Sequence, residues 1–131
     1  MKKIAVAVGV IERSNGDILI AKRHQHLHQG GKWEFPGGKI EADESPLECS
    51  IRETIEELNI DKSNIEVIGQ TDYIVTPFNL ILYPFIGKIN KIDFDNINFN
   101  RDEVESIFTV PLDYFINTSP RSEERRVGKE C

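Results

Sequence analysis

Cysteine is scarce in this chain of 131 residues and basic residues are outnumbered by acidic ones, and each of these features excludes a class of protein. The cysteines, Cys49 and Cys131, are too few and too far apart for a disulfide framework or a cysteine metal site, which fits the reducing cytoplasm. Lysine and arginine number 16 against 22 acidic residues, so the net charge is −6. Such a chain has no general field that attracts a nucleic acid polymer. A phosphate-bearing ligand would therefore need local cations or a metal ion.

Long apolar runs are missing as well. Two lysines precede an apolar run from Ile4 to Ile11, but the run is too short to cross a membrane, and no A-x-A-like signal cleavage site follows it. Instead, Asn15-Gly16 separates two stretches of β-branched residues, which is the strongest short-range signal for a hairpin. We therefore predict a β-hairpin from residues 3–11 and 17–22, and no association with a membrane.

The length fits one domain with a modest core, which we place at residues 1–120. The remaining string, "RSEERRVGKEC" (121–131), has three arginines and no apolar period, unlike the Ile-, Asn- and Asp-rich chain before it. It resembles the translation of a widely used sequencing adapter. We therefore predict a non-native tail and exclude it from the arguments on fold and function.

Hydrophobic periodicity and turn residues predict the elements that follow the hairpin. In chain order they are a His-, Gln- and Gly-rich loop (24–34), a tight turn "FPGGK" (35–39), a helix (46–58), two strands (65–75 and 78–89), an Asn- and Asp-rich loop (89–102) and a short last strand (106–110). The second of the two strands is apolar enough to be central, although Pro84 predicts a bulge or an unpaired edge there. A second helix is expected to start near Pro111.

The helix over residues 46–58 has well-specified ends. Ser45 is a favourable N-cap, Pro46 suits the first helical position, and Glu48 completes an S-x-x-E capping box. Asn59 can adopt the left-handed conformation that ends a helix.

The same helix divides into an apolar face and an acidic face at about 100° per residue. The apolar face, expected to pack on a sheet, holds Leu47, Ile51, Ile55 and Leu58. Glu53, Glu56 and Glu57 share the opposite face, where like charges repel by a few tenths of a kcal/mol per pair. Arg52 lies four residues from both Glu48 and Glu56 and can pair with either. A solvated polar face is one interpretation. A carboxylate cluster after a Gly-rich turn instead favours Mg²⁺, a hard cation that prefers oxygen ligands and retains waters and substrate phosphates.

The spacing of residues around this helix matches a known signature. In order it is Gly38, five residues, Glu44, seven residues, Arg52-Glu53, two residues, Glu56-Glu57, two residues and Ile60. This pattern resembles the Nudix box of the Nudix hydrolase superfamily, with departures at Thr54, where an aliphatic residue is usual, and at Asn59, where Gly is usual. The resemblance covers residues 3–117. It implies an α/β fold, an α/β/α sandwich around a mixed sheet, whose second helix is expected to be truncated here.

The resemblance also implies a reaction, the hydrolysis of a diphosphate linked to another group, usually a nucleoside. The metal-binding positions of the family match Glu53, Glu56, Glu57 and the carbonyl of Gly38, with Mg²⁺ as the metal and Mn²⁺ as an alternative. Such chemistry depends mainly on positioning and charge neutralisation.

Three further residues take roles from the same resemblance. Arg52 matches the residue that holds the glutamates in place, and Glu44 matches an outer partner. A carboxylate must take the proton of the attacking water. Glu53 is the first choice for this base, and Glu103, on the loop before the last strand, is the second.

The stretch "AKRHQHLHQGGKWEFPGGKIE" (21–41) resembles MutT-type enzymes, which hydrolyse oxidised purine nucleoside triphosphates such as 8-oxo-dGTP to the monophosphate and pyrophosphate. This resemblance implies that Arg23 and His28 face substrate phosphates or sugar and that Phe35 lines the base pocket. Trp33 is open to two interpretations, stacking on a base or partial core. The asparagine that reads the oxidised base in those enzymes has a poor match here, Asn117.

Two features leave alternatives open. The pattern H-x-H-x-H at residues 24–28 is either a transition-metal site or plain surface histidine. The stretches 72–89 and 102–112 resemble coenzyme A diphosphatases, although the Arg-containing motif of that branch is not matched, and a chimera of two reading frames is also open.

Three hypotheses follow for the function: a MutT-like nucleoside triphosphate diphosphatase, a hydrolase of coenzyme A or a dinucleotide, and a non-catalytic nucleotide-binding domain. The intact set of glutamates argues against the third. In each case the expected partner is a small nucleotide in the cytoplasm, and the sequence leaves the oligomeric state open.

Overall fold

The computed structural model describes residues 3–13, 15–27, 30–90 and 92–113. Within them, eight strands form one sheet, accompanied by helix α1 (Pro46–Leu58) and two 3₁₀ helices (Lys62–Asn64 and Phe94–Asn96). The strands are β1 (Ile4–Glu12), β2 (Asp17–Arg23), β3 (Trp33–Glu34), β4 (Gly37–Lys39), β5 (Ile65–Gln70), β6 (Ile74–Val75), β7 (Leu80–Ile89) and β8 (Val104–Pro111).

The sheet is mixed, as predicted. Its order is β3-β2-β1-β7-β5, while β4, β6 and β8 pair with β1, β7 and β2 respectively. Strands β1 and β7 run parallel, and the other pairs are antiparallel. Among the helices of the described residues, none has the length and apolar character needed to span a bilayer.

The predicted hairpin is confirmed, but its two strands separate soon after the turn. Gly16 supplies a φ of 92°, and the Asp17 N–H donates to the Asn15 side chain at 3.0 Å. The strands pair at Glu12 and Ile18. Beyond that point β1 pairs with β4 and β7, whereas β2 pairs with β3 and β8. The separation opens the sheet surface on which the candidate site is built.

Strand β7 is central, as its apolar sequence predicted, so the expectation of an unpaired edge at Pro84 is wrong. The bulge lies on the neighbouring strand β5, where the register shifts between Val67 and Gly69. The Pro84 carbonyl accepts from the N–H of Thr71, just past the end of β5. In a strand, the backbone nitrogen and carbonyl of one residue point to the same neighbouring strand. The nitrogen of Pro84, which has no hydrogen to donate, therefore faces the gap between β5 and β6, where neither strand needs a donor from β7. The predicted strand over 65–75 is therefore two strands.

The polar loop over 89–102 is anchored more firmly than its composition suggested. Phe94 and Ile97 are buried in a core cluster, whose other buried members are Ile11, Leu19, Leu58 and Ile60. The guanidinium of Arg13 lies 4.8 Å from the centre of the Phe94 ring and covers it. These apolar anchors fix the loop that leads to Glu103.

Both ends of α1 are confirmed. Ser45 and Glu48 form the full capping box, and the C-cap Asn59 has the left-handed φ of 53°. Because the Glu48 carboxylate accepts from the Ser45 N–H at 2.8 Å, the expected alternative pairing of Glu48 with Arg52 is not formed.

The expected faces of α1 are wrong in part. Its buried residues are Cys49, Ser50, Thr54, Glu57 and Leu58, while Leu47 is 37% exposed. The cause is a close approach of helix to sheet at Gly9. A Cβ added to Gly9 would lie 3.3 Å from the Thr54 hydroxyl and 3.4 Å from that of Ser50. Small polar residues therefore face the sheet, and Thr54 satisfies its hydroxyl on the Ser50 carbonyl at 2.8 Å.

Four features singled out in the sequence lie outside the described residues: His28, the second helix beyond residue 113, Asn117 as a poor match to the base-reading asparagine, and the predicted non-native tail 121–131.

Candidate active site

Three carboxylates from two parts of the chain meet at one point. Glu53 and Glu57 are four residues apart on α1, and Glu103 belongs to the turn before β8. One oxygen from each lies within 4.8 Å of the others. Among the described residues, these three carboxylates form the one group of at least three potential ligands that could hold a metal ion. Both candidates for the general base, Glu53 and Glu103, therefore belong to this group of carboxylates.

The electrostatics of this group favour a bound cation. Burial, and then the neighbouring Glu53 carboxylate, raise the pKa of Glu57 to about 9, although the Gly37 N–H, 3.3 Å away, opposes the shift. Burial also raises the pKa of Glu53, against the opposing charge of Arg52. Carboxylates crowded out of water are costly as anions unless a positive charge joins them. An oxygen-only donor set of this kind fits Mg²⁺.

Two adjacent glycines allow β4 to approach its neighbours closely. A Cβ added to Gly38 would lie 2.5 Å from the carboxylate carbon of Glu53, so any larger residue would occupy the space of that side chain. A Cβ added to Gly37 would lie 2.3 Å from the Ala7 carbonyl oxygen. The Gly38 carbonyl, a predicted metal ligand, accepts from the thiol of Cys49 at 3.5 Å. Burial raises the pKa of that thiol to about 11, so it stays a donor.

Arg52 organises the side of the site nearest α1. Its Nε donates to Glu44 at 2.6 Å, one Nη donates to Glu53 at 3.0 Å, and the other donates to the Lys39 carbonyl at 3.3 Å. The hydrogen bond from Arg52 is the main reason that the pKa of Glu44 falls to about 2. One planar guanidinium therefore fixes Glu53 relative to β4 and to the loop before α1. These contacts are those expected of a residue that holds the glutamates in place.

The carboxylates lie in the wall of a cavity of about 770 Å³. Arg23 and Phe35, both predicted to bind substrate, line the same cavity. Trp33 also lines it, is 44% exposed, and meets Phe108 edge to face with ring centres 4.4 Å apart. His28, the third predicted substrate contact, lies outside the described residues. Charged and aromatic side chains therefore line the same cavity.

A comparison with known families identifies the family of this chain. The family model described as NUDIX domain matches residues 1–127. This chain belongs to the Nudix family. The resemblance of residues 38–60 to a Nudix box is thereby confirmed.

Some of the curated relatives are named for an activity, among them two from Escherichia coli. The chain is 40% identical to the 8-oxo-dGTP diphosphatase of Escherichia coli (strain K12) over 73 residues, which are 56% of this chain and 57% of the relative. It is 49% identical to the CTP pyrophosphohydrolase of the same organism over 69 residues, or 53% and 50%. The chain spans about half the length of the curated relatives it matches.

A solved structure supports the Nudix fold. The chain is similar to the MutT protein from Methanosarcina mazei Go1, with a TM-score of 0.63 and 22% identity over 88% of this chain and 81% of that one. The predicted α/β Nudix fold is confirmed for the described residues.

One glutamate of the Nudix box lies apart from the carboxylate group. The Glu56 side chain is 50% exposed and its carboxylate lies 3.5 Å from Arg52, the i,i+4 pairing that the sequence predicted. Its role as a metal ligand stays a prediction. Glu103, the second choice for the base, completes the group instead.

Sequence reasoning gave no role to Glu34, which lines the cavity between Trp33 and Phe35. Its position between two residues already singled out was the available signal. The histidine pattern is described only in part. The Nδ1 atoms of His24 and His26 lie 2.7 Å apart, and His28 is outside the described residues, so both interpretations, a transition-metal site and plain surface histidine, stay open.

Proposed function

We propose that this protein is a magnesium-dependent diphosphatase that hydrolyses a nucleoside triphosphate to the monophosphate and pyrophosphate. The observation that carries the proposal is the group of Glu53, Glu57 and Glu103, whose oxygens lie within 4.8 Å of one another in the wall of the cavity. At about 770 Å³, that cavity is within the size range of small-molecule sites. Membership of the Nudix family supports hydrolysis of a diphosphate as the reaction.

The three carboxylates would hold the metal ion, with Glu56 and the Gly38 carbonyl as further predicted ligands. Hard oxygen ligands suit Mg²⁺, and Mn²⁺ is the alternative. When bound, the ion neutralises phosphate oxygens and lowers the pKa of a water molecule. Its charge would also favour the ionised form of the buried Glu57.

The remaining steps belong to side chains of this protein. Glu53 accepts a proton from the attacking water, and the water oxygen bonds to the α phosphorus. The P–O bond between the α phosphorus and the oxygen that bridges to the β phosphoryl group breaks. The leaving pyrophosphate takes the electrons of that bond. Arg52 holds the Glu53 carboxylate at 3.0 Å, so the base is oriented before substrate binds. Glu103 is the second candidate for the base.

The cavity residues other than the three carboxylates would select the nucleoside. We propose 8-oxo-dGTP as the substrate, supported by the relative named for it and by Arg23 and Phe35 in the cavity wall. Arg23 and His28 would contact phosphates or sugar, and Phe35 the base. CTP is the second candidate because the relative at 49% identity is named for it. With a net charge of −6, the protein is expected to act on small nucleotides in the cytoplasm and not on nucleic acid polymers.

The test is a panel of 8-oxo-dGTP, CTP, the common nucleoside triphosphates and coenzyme A, each with Mg²⁺ and with chelator, followed by product identification. Pyrophosphate plus a monophosphate supports the proposal. Release of 3′,5′-ADP and phosphopantetheine from coenzyme A would move the protein to the other branch. Unchanged turnover by Glu53→Gln would overturn the assigned base, and no turnover of any substrate would favour a non-catalytic domain.

A further inference from the structure

Glu103 reaches the carboxylate group from a turn and not from a helix or strand. The N–H groups of Glu103 and Val104 donate to the Asn100 carbonyl at 3.2 and 2.9 Å, and that of Asp102 donates to the Asn100 side chain at 3.0 Å. Asn100 therefore shapes the turn. The Glu103 carbonyl accepts from the His24 N–H at 3.0 Å. The position of Glu103 relative to Glu57 therefore depends both on this bond and on what holds Asn100 and its neighbours against α1.

Two hydrogen bonds join this turn to the last turn of α1. The Asn100 N–H donates to the backbone carbonyl of Glu57 at 2.9 Å. The last carbonyls of a helix have no partner inside it, so this bond satisfies one of them. The second bond comes from the Asn59 side chain, whose Nδ2 donates to the Asn98 carbonyl at 2.9 Å. The helix that carries Glu53 and Glu57 thus also holds the segment that carries Glu103.

Buried side chains flank the segment that these bonds hold. Ile97 precedes it and Val104 follows it, and both are buried. Between them the chain has polar residues and Phe99, a partly buried side chain that packs against the core. The bonds from α1 act on this stretch, in which none of residues 98–103 is buried.

We propose that Asn59 is a positioning residue that sets the place of Glu103 in the metal-binding group. The Nudix box usually has Gly at this position, and Gly would serve the left-handed φ of 53° equally well. Asn supplies the same backbone conformation and adds a side-chain donor that Gly lacks. The inference deepens the proposed function and rests on it, because the role of Glu103 there is to hold the metal ion or take a proton.

Two substitutions separate the side chain of Asn59 from its backbone role. Asn59→Gly keeps the left-handed cap and removes the donor. Asn59→Asp keeps the shape and places a carboxylate against the Asn98 carbonyl. Asn64→Asp is the matched control, because Asn64 Nδ2 donates to the Asn90 carbonyl at 3.0 Å in a loop pairing that does not involve the carboxylate group.

The first measurement is amide hydrogen exchange on the metal-free proteins. A lost hydrogen bond of ordinary strength corresponds to about threefold to tenfold in a local opening equilibrium. We expect the amides of Asn100 and Val104 to exchange faster by about this factor in both Asn59 variants and at the wild-type rate in Asn64→Asp. If both amides exchange at the wild-type rate in both Asn59 variants, the proposal is overturned.

The second measurement is a double-mutant cycle with Glu103→Gln, read as Mn²⁺ affinity and as kcat and KM separately. Asn59→Asp should lower Mn²⁺ affinity and kcat by about threefold to tenfold with KM little changed, and should have no further effect once Glu103 is Gln. If Asn59→Asp lowers Mn²⁺ affinity and kcat equally with Glu103 and with Gln at position 103, and the wild type binds Mn²⁺ normally, the role of Asn59 is overturned while the proposed function stands. A wild-type protein that binds no Mn²⁺ would overturn the proposed function itself.

Discussion

The substitution Gly38→Ala should damage the chemistry of the site without damaging the fold. The new Cβ would lie 2.5 Å from the carboxylate carbon of Glu53. Since carbon atoms rest about 3.5–4.0 Å apart, the Glu53 carboxylate must move by about 1 Å. A displacement of that size at a reacting group costs about 10²-fold in rate, or close to 2.7 kcal/mol of transition-state stabilisation.

The expected loss is therefore about 10²-fold in kcat/KM, measured by pyrophosphate release with Mg²⁺. Stability should change by no more than about 0.5 kcal/mol in urea unfolding, because the atom displaced is the tip of a flexible side chain. Gly38 is also not among the described glycines with a positive φ, so Ala adds no backbone strain.

Gly37→Ala is the matched control one residue away. Its Cβ would meet the Ala7 carbonyl oxygen at 2.3 Å and the Val8 Cα at 2.9 Å, both backbone atoms of β1. Relief requires opening the β1–β4 pairing, so the free energy of unfolding should fall by about 1–3 kcal/mol or more. Near-normal kcat/KM for Gly38→Ala, or equal destabilisation by both substitutions, would refute the geometry assigned to Glu53.

Three further predictions concern pH, the guanidinium and the loop. Burial raises the folded-state pKa of Glu57 from 4.5 to about 9, so the folded metal-free protein keeps a proton that the unfolded chain releases. Its melting temperature should therefore fall as pH rises through that interval, and calorimetry of Glu57→Gln should give a flatter slope; an unchanged slope would contradict this. Arg52→Lys cannot bridge Glu44 and Glu53 with one planar fork, so kcat/KM should fall at least about tenfold, and wild-type activity would count against its role. Phe94→Ala should cost about 3 kcal/mol in urea unfolding, and a loss under about 1 kcal/mol would show that the loop is not anchored there.

Local sequence signals predicted the ends of α1 and the spacing of its acidic residues. Ser45, Glu48 and Asn59 act within a few residues of themselves, so their roles follow from chain position alone. A helical wheel also places Glu53 and Glu57 one turn apart. It cannot tell how closely the helix approaches the sheet. The approach at Gly9 brings Ser50 and Thr54 against the sheet, while Glu57 is buried beside Gly37 and Leu47 lies at the surface.

The third carboxylate required information that a wheel does not hold. Glu103 is distant from α1 in the chain, and its approach depends on Phe94 and Ile97 inside a loop of mostly polar residues. The hydrogen bond from the Asn100 N–H to the Glu57 carbonyl completes that approach. Side-chain periodicity carries no signal for a backbone bond between a loop and a helix end. The family resemblance indicated a functional role for Glu103, and the fold shows how its carboxylate comes close to those of Glu53 and Glu57.

The most direct test of the metal centre is a crystal structure of the protein grown with Mn²⁺, with anomalous diffraction used to locate the ion. We predict an anomalous peak within direct bonding distance of carboxylate oxygens from Glu53, Glu57 and Glu103. A peak elsewhere on the protein, with these three carboxylates bonded to no metal ion, would contradict the proposed site.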